Sequence, residues 1–339
     1  MITDLRSDTF TKPSEAMLLA MMQAKVGDDV FGEDPTINEL EDYARNMFGM
    51  EAALFCPSGT MTNQIGIKCH TRPGDEVICE ASSHVYIYEG GGIASNSGSQ
   101  VKAIQGDRGR ITAPQVEESI NPDDIHKAVS RLVVLENTAN RGGGSIYKII
   151  DIQDIKTICL KHDLKLHLDG ARLFNALSQT GETTLQYGEL FDSISICLSK
   201  GLGAPIGSLL LGDFEFIRQA RRVRKVFGGG MRQAGYLAAA GLFALQNNIE
   251  RLQVDHIHAK QVAEALLTKD FVGKMLPVET NIIIFELIGH YTAASFCEYM
   301  KKYEVLCLPI SATQVRMVFH LDVVNEMVNR LIQLIHTME

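Results

Sequence analysis

Three short stretches put reactive side chains where apolar runs stop. "SISICLSKG" (193–201) ends on Lys200, "HLDGAR" (167–172) carries Asp169 with Arg172 just beyond, and "FCPSGTM" (55–61) hands an apolar run over to Ser58, Gly59 and Thr60. A lysine at the mouth of a buried strand has either reached solvent or is an amine kept for a pocket. An aspartate at such a strand end either caps the next element or partners a buried cation, since burying it unpaired is costly. A Ser-Gly-Thr triplet opening a helix is an ordinary cap or a phosphate seat, because the first N–H groups of a helix lack partners and its dipole is positive there.

Together the three suit pyridoxal phosphate. That cofactor needs its phosphate anchored, a carboxylate to keep the pyridine nitrogen protonated so that the ring withdraws electrons, and a lysine to hold its aldehyde as a Schiff base. No other common cofactor asks for all three. A nicotinamide or nucleotide module would show G-x-G-x-x-G after a strand, and the chain has none. His256 and His258 are two apart on a predicted helix and so face different ways. With no H-E-x-x-H and no cysteine cluster, no metal is expected.

The elements that must position these residues alternate along the first two thirds of the chain. Asp34, Pro35 and Gly49 bound a helix with Ile37, Leu40, Ala44 and Met47 at helical spacing, followed by "AALFC" as a strand and a helix from Ser58. "DEVICE", "QVKAI", "RLVVLEN", "LKLHLDG", "SISICLS" and "GSLLLG" read as further strands, with helices from Ser83 and over 151–163. Apolar strands alternating with helices predict an α/β fold, a mainly parallel sheet covered on both faces, with ligands at the carboxyl ends of the strands. After about residue 248 the texture becomes a compact α+β unit, so the expected domains are 1–248 and 249–339.

Composition limits the alternatives. The 339 residues are 45% hydrophobic and 22% charged, with a net charge of −9, a balance for a globular protein without an extended nucleic-acid footprint. The longest nearly apolar stretch, "AGYLAAAGLFAL" (234–245), falls short of the roughly 20 residues of a spanning helix, so no membrane is expected. The charged N-terminus and seven scattered cysteines read as a cytoplasmic protein with reduced thiols. The cluster Arg221, Arg222, Arg224 and Lys225 reads mostly as a solvated helix face.

Longer motifs carry a family resemblance. With "DLRSDTFTKPSEAM" (4–17), "VGDDVFGEDPTINELE" (26–41), "PSGTMTNQ" (57–64), "SHVYIYEGGG" (83–92), "HLDGAR", "CLSKGLGAPIGS" (197–208) and "GGGMRQAG" (228–235), the chain resembles the low-specificity L-threonine aldolases. These lie within the β-eliminating lyase branch of fold type I pyridoxal phosphate enzymes. The resemblance implies that fold type I architecture, a large cofactor-binding domain and a small C-terminal one. It also implies retro-aldol cleavage of L-threonine and L-allo-threonine to glycine and acetaldehyde.

Residue by residue, the resemblance makes Lys200 the Schiff-base lysine, Asp169 the ring-nitrogen partner, and Ser58, Gly59 and Thr60 the phosphate turn. His84, which alone would read as a core histidine, matches the family's ring-stacking histidine near the substrate hydroxyl, and Tyr88, one helical turn on, faces the same pocket. Arg316 with Ser7 and Arg172 would grip the substrate carboxylate by forked hydrogen bonds, and Arg172 also counts with the cofactor set. His126 matches a second histidine near the substrate, and His84, His126 or an ordered water is the candidate base for the β-hydroxyl proton. Arg232 would reach a cofactor phosphate in a neighbouring subunit, implying a homo-oligomer with shared sites, a tetramer built as a dimer of dimers. One departure bears on substrate recognition: "ENTANR" (136–141) has Ala139 where relatives read histidine. The rival reading is another β-eliminating lyase or an aminotransferase on the same scaffold.

Overall fold

The computed structural model describes residues 2–338. Its strands are β1 (Thr3–Asp4), β2 (Ala52–Cys56), β3 (Glu76–Glu80), β4 (Gln100–Ile104), β5 (Ser130–Glu136), β6 (Lys165–Gly170), β7 (Ser193–Cys197), β8 (Ser208–Gly212), β9 (Val272–Met275), β10 (Ile282–Leu287), β11 (Val305–Leu306), β12 (Leu308–Pro309) and β13 (Gln314–Val318). A seven-stranded sheet runs β2-β8-β7-β6-β5-β3-β4. Every position of β3, β7 and β8 is buried, as expected of strands covered on both faces.

The one antiparallel strand in this sheet is β8, paired with β2 and β7. Its direction follows from chain length: only residues 198–207 separate β7 from β8, and a parallel crossover needs a dozen residues or more. The chain must turn back, and Lys200 sits in that turn. All other strands of the sheet are parallel, so β2, β5, β6 and β7 deliver their carboxyl ends to one edge.

Four early helices are α1 (Glu15–Met22), α2 (Pro35–Phe48), α3 (Gly59–His70) and α4 (His84–Ile87). The caps of α2 are those expected from sequence. Asp34 accepts from the N–H groups of Thr36 and Ile37 at 3.1 Å each, Pro35 occupies the first turn, and Gly49 ends the helix at φ 63°. The helix expected from Ser83 is only the single turn α4. Helix α3 lies across β6, β7 and β8 and spans the sheet from its carboxyl edge to the opposite side.

The C-terminal unit holds a second core around Phe285, Phe296, Met317 and Leu331, under a sheet ordered β12-β13-β10-β9. "VLCLPI" is split at Cys307: β11 pairs in parallel with β1, while β12 pairs with β13. Leu5 belongs to this second core. The N-terminal segment thus strings residues 5–11 between the two units, where Thr11 Oγ1 donates to the Lys200 carbonyl at 3.0 Å. No helix among the described residues is long and apolar enough to cross a membrane.

Candidate active site

Ser58, Gly59, Thr60, His84, Asp169 and Lys200 line one cavity of about 160 Å³, with Asn63, Ala171, Cys197 and Ser199. The Ser58 Oγ caps α3 by accepting from the Met61 N–H at 3.2 Å, leaving the N–H groups of Gly59 and Thr60 without helical acceptors. Glycine at 59 is a packing requirement. A Cβ there would lie 2.5 Å from Cys197 Sγ and 3.4 Å from Ser208 Oγ, so any larger residue would lift the helix start off the sheet.

Asp169 is 2% exposed, and among the described residues its carboxylate accepts only the Ala171 N–H, at 3.2 Å on Oδ1. Beside it across the strand pair lies Glu136, which accepts from the His84 N–H at 2.8 Å and the Asn140 N–H at 2.9 Å. Burial and then the Asp169 charge push Glu136 up to about 6. His84 Nδ1 is 3.0 Å from Glu89 Oε1, and Glu89 also accepts from Asn63 Nδ2 at 2.9 Å and Gln64 Nε2 at 2.6 Å. Burial opposes charge on the His84 ring, but its hydrogen bond to Glu89 and the charges of Asp169 and Glu89 together raise its pKa.

The donor set fits pyridoxal phosphate. A buried carboxylate with one backbone hydrogen bond calls for a cationic N–H partner, free N–H groups at a helix start call for an anion, and an amine shares the cavity with both. His84, Glu89 and Asp169 also bring ligand atoms within 4.8 Å of one another, a spacing that a cation would accept. Three donors already engage Glu89, and among the described residues Asp169 is the one acid lining the cavity that could face a ring nitrogen.

A second cluster adjoins the cavity. Gly170 and Ala171 carry the chain from Asp169 to Arg172, whose Nε and Nη2 each donate to the fully buried Asp8 at 2.7 Å. Ser7 caps the turn that presents Asp8 by accepting the Thr9 N–H. Arg316, on β13, donates to Asn140 Oδ1 at 2.9 Å and to the Arg6 carbonyl at 3.1 Å, and its Nε is buried without a partner. Burial, then the charge of Arg172, pulls Arg316 down to about 10, and Arg141 acts in the same sense. Among the described residues Asp8 is the one acid paired with this arginine group, which therefore has room for an added carboxylate. The Tyr88 ring stands 5.8 Å from that of His84, the side expected from the one-turn spacing, but it is half exposed and is not among the residues that line the cavity.

Two expected site residues lie elsewhere in the chain. His126 is in the loop entering β5, at the edge opposite the cavity, highly exposed and paired with Asp124 at 2.8 Å. Its placement at the pocket is therefore not met within one chain, because a residue that precedes a parallel strand starts from the wrong edge. Arg232 is on an exposed loop, bonded to Asp28 at 2.9 Å, and does not line the cavity. Arg172 has two of its three nitrogens engaged by Asp8, so it offers a carboxylate at most one fork tine.

The basic helix departs from a fully solvated face. Arg221 pairs with buried Glu41, and Arg224 is itself buried, bridging Asp29 and the Phe55 carbonyl. Ala139 is buried with its Cβ against the bare Cα of Gly109, where an added Cβ would come within 2.5 Å. Sequence reading missed Glu89, Asn63 and Asp8. Each had a signal, an acid or amide inside a motif already quoted, but none ends an apolar run.

The sequence profile described as Beta-eliminating lyase matches residues 4–288. A low specificity L-threonine aldolase of Escherichia coli strain K12 is 45% identical over 325 residues, covering 95% of each chain. A probable low-specificity L-threonine aldolase of Arabidopsis thaliana is 41% identical over 94% of this chain and 91% of its own. Among solved structures, the threonine aldolase of Leishmania major superposes with a TM-score of 0.85 at 20% identity, covering 98% of both chains, and so shares the fold. The chain belongs to the beta-eliminating lyase family of pyridoxal phosphate enzymes, among its low-specificity L-threonine aldolases.

Proposed function

We propose that the protein cleaves L-threonine and L-allo-threonine to glycine and acetaldehyde. The observation that carries this reading is the convergence on one cavity of an amine, a buried aspartate, a free helix start and the His84–Glu89 pair, next to arginines balanced by a single acid. Pyridoxal phosphate bound there by Lys200, Asp169 and the Ser58–Thr60 turn supplies an aldehyde for the substrate amine and a ring that accepts the electron pair of the breaking bond.

The chain's own residues hold and deprotonate the substrate. Arg316, the remaining nitrogen of Arg172 and Ser7 take the carboxylate, fixing which substituent of the α-carbon lies toward His84. His84 donates its Nδ1 proton to Glu89, which leaves the Nε2 lone pair free to accept the β-hydroxyl proton. As that O–H bond breaks, the oxygen becomes the carbonyl of acetaldehyde, the Cα–Cβ bond opens, and protonation at Cα gives glycine. The raised pKa of His84 suits an acceptor working near neutral pH. Tyr88 lines the side-chain end of the pocket.

A homotetramer with shared sites, in the cytoplasm, completes the proposal, with Arg232 and His126 acting at a neighbouring subunit's cavity. Their exposure supports that role. Incubation of the holoenzyme with threonine tests the activity: acetaldehyde with glycine supports the reading, and pyruvate or another keto acid overturns it. Mixed assemblies of Lys200→Ala and Arg232→Ala subunits should recover turnover that neither parent has, and no recovery argues against sharing.

A further inference from the structure

Beneath α3 the sheet is unexpectedly polar. His167 and Asp169 lie two apart on β6, and Ser193 and Ser195 two apart on β7, so all four side chains face α3 from adjacent register positions. Two of them are accounted for: Asp169 faces the cavity, and Ser195 bonds Thr62 at 2.7 Å. His167 and Ser193 are completely buried and touch neither cavity nor solvent. The fold makes room for the ring, since a Cβ on Gly66 of α3 would lie 2.9 Å from His167 Cε1.

The contacts of these two residues form a continuous line. His70 Nε2 is 2.7 Å from Ser193 Oγ, Ser193 Oγ is 2.7 Å from His167 Nδ1, and His167 Nε2 is 3.2 Å from Asn63 Oδ1. Asn63 Nδ2 then reaches Glu89 Oε1 at 2.9 Å, the oxygen that holds His84. The proton positions follow from one end of the line. Glu89 accepts from three donors and can only accept, so the Asn63 amide must point its NH2 at Glu89 and its oxygen at His167. His167 Nε2 must therefore carry hydrogen, its Nδ1 must accept, and Ser193 must donate to it. Ser193 then has only a lone pair for His70, which donates from Nε2. Burial pulls His70 down to about 4 and His167 down to about 3, so both rings are neutral at working pH, as this polarity requires.

We infer that His167 is a positioning residue for the reaction: held in its Nε2–H tautomer by Ser193, it fixes the Asn63 amide, which with Gln64 holds Glu89 in the pose that gives His84 its Nδ1–H tautomer and frees Nε2. The inference rests on the reading of His84 as proton acceptor. Without the His167 donor the amide oxygen has no buried partner, the Asn63 side chain can shift toward the cavity that it lines, and Glu89 and the His84 ring lose their fixed placement. The task is orientation of a base from a distance, the role that an outer carboxylate or amide has for many reactive imidazoles.

Two measurements on the holoenzyme test it. In protein labelled with 15N in histidine, two-bond N–H correlation spectra distinguish the neutral tautomers, and wild type should show Nε2–H for His167 and Nδ1–H for His84. His167→Leu should lower kcat on threonine by about tenfold with KM little changed, and should mix the His84 tautomers. His167→Gln, whose amide can donate where Nε2–H did, should recover turnover to within about threefold of wild type. Should His167→Leu fail to fold, Ser193→Ala should still mix the His167 tautomers. Overturning results are an Nδ1–H His167 in wild type, His167→Leu within about twofold of wild-type kcat, or His167→Gln no better than leucine. The spectra need no turnover, so a protein inactive on threonine would refute the proposed activity and still test the line.

Discussion

Asp8→Asn removes the one acid paired with the arginine group while keeping its shape. Both carboxylate oxygens take Arg172 nitrogens at 2.7 Å, and both side chains are almost wholly buried. Burial pushes the Asp8 carboxyl up, but the Arg172 charge and fork outweigh it and hold the pKa below the ordinary carboxylate value. Breaking such a pair from one side costs about 3–5 kcal/mol, because the surviving charge stays buried. The cost here falls toward the upper end of that range, since Arg172 already repels Arg316. Urea unfolding of the holoenzyme at pH 7 reads the loss as a lower midpoint at unchanged slope. An added carboxylate ligand such as glycine should restore part of it by binding only the folded state. In wild type the Asp8 contribution is complete above the unfolded pKa of 3.8 and is lost as pH falls through the lower folded value. A loss below about 1 kcal/mol would place the pair among solvated surface bridges and refute the reasoning.

Lys200→Ala should abolish both threonine turnover and the visible absorption of bound cofactor, and full turnover in that variant would remove the lysine from the mechanism. For Arg316→Ala we expect KM to rise about 10- to 100-fold with cofactor absorption intact, and an unchanged KM would end its carboxylate role. Gly59→Ala forces a Cβ to within 2.5 Å of Cys197 Sγ, which should shift the start of α3 and cost about 1–3 kcal/mol. Cofactor retained through dialysis is the measure, and wild-type retention would count against the close fit. Burial lowers His70 and His256 to about 4 and His167 to about 3, so the unfolded chain binds their protons first. Stability should thus fall as pH drops below 6.5, by about 1.4 kcal/mol per pH unit for each ring, and urea midpoints flat between pH 6.5 and 5 would contradict this.

What the sequence made legible is what a strand end announces. Lys200, Asp169 and the Ser58–Thr60 turn each break an apolar run, and parallel topology then carries all three to one edge. The alternation S-I-S-I at 193–196 and the H-L-D at 167–169 were equally visible, yet read as apolar runs they hid a polar face. Periodicity reports which residues share a face but not what covers it, and only α3, docked through Gly59 and Gly66, turns that face into a hydrogen-bonded line. Asp8 was hidden for another reason. Its partner lies 164 residues away, and no local pattern distinguishes a buried acid from a cap until the N-terminal segment is threaded between the two units.

On the proposed function, the charges of the protein's own side chains orient a substrate. On one side stand Arg172, Arg316 and Arg141 with one acid among them, and on the other Asp169, Glu136 and Glu89. Asn140 joins the two, its side-chain oxygen accepting from Arg316 at 2.9 Å and its N–H donating to Glu136 at 2.9 Å. A zwitterionic amino acid fits this field in one sense only, carboxylate toward the arginines and amino group toward the acids and Lys200. The reverse placement sets carboxylate against carboxylate, and like charges at such contact cost several kcal/mol. With two substituents of the α-carbon fixed, the third must point toward His84 or away from it, and this choice decides whether the β-hydroxyl proton has an acceptor. Substituting Asn140 by Asp would feed a charge into the junction, tightening Arg316 and repelling Glu136. Because those effects act on opposite ends of the substrate, KM and kcat should both worsen even though no group touching the β-carbon has changed.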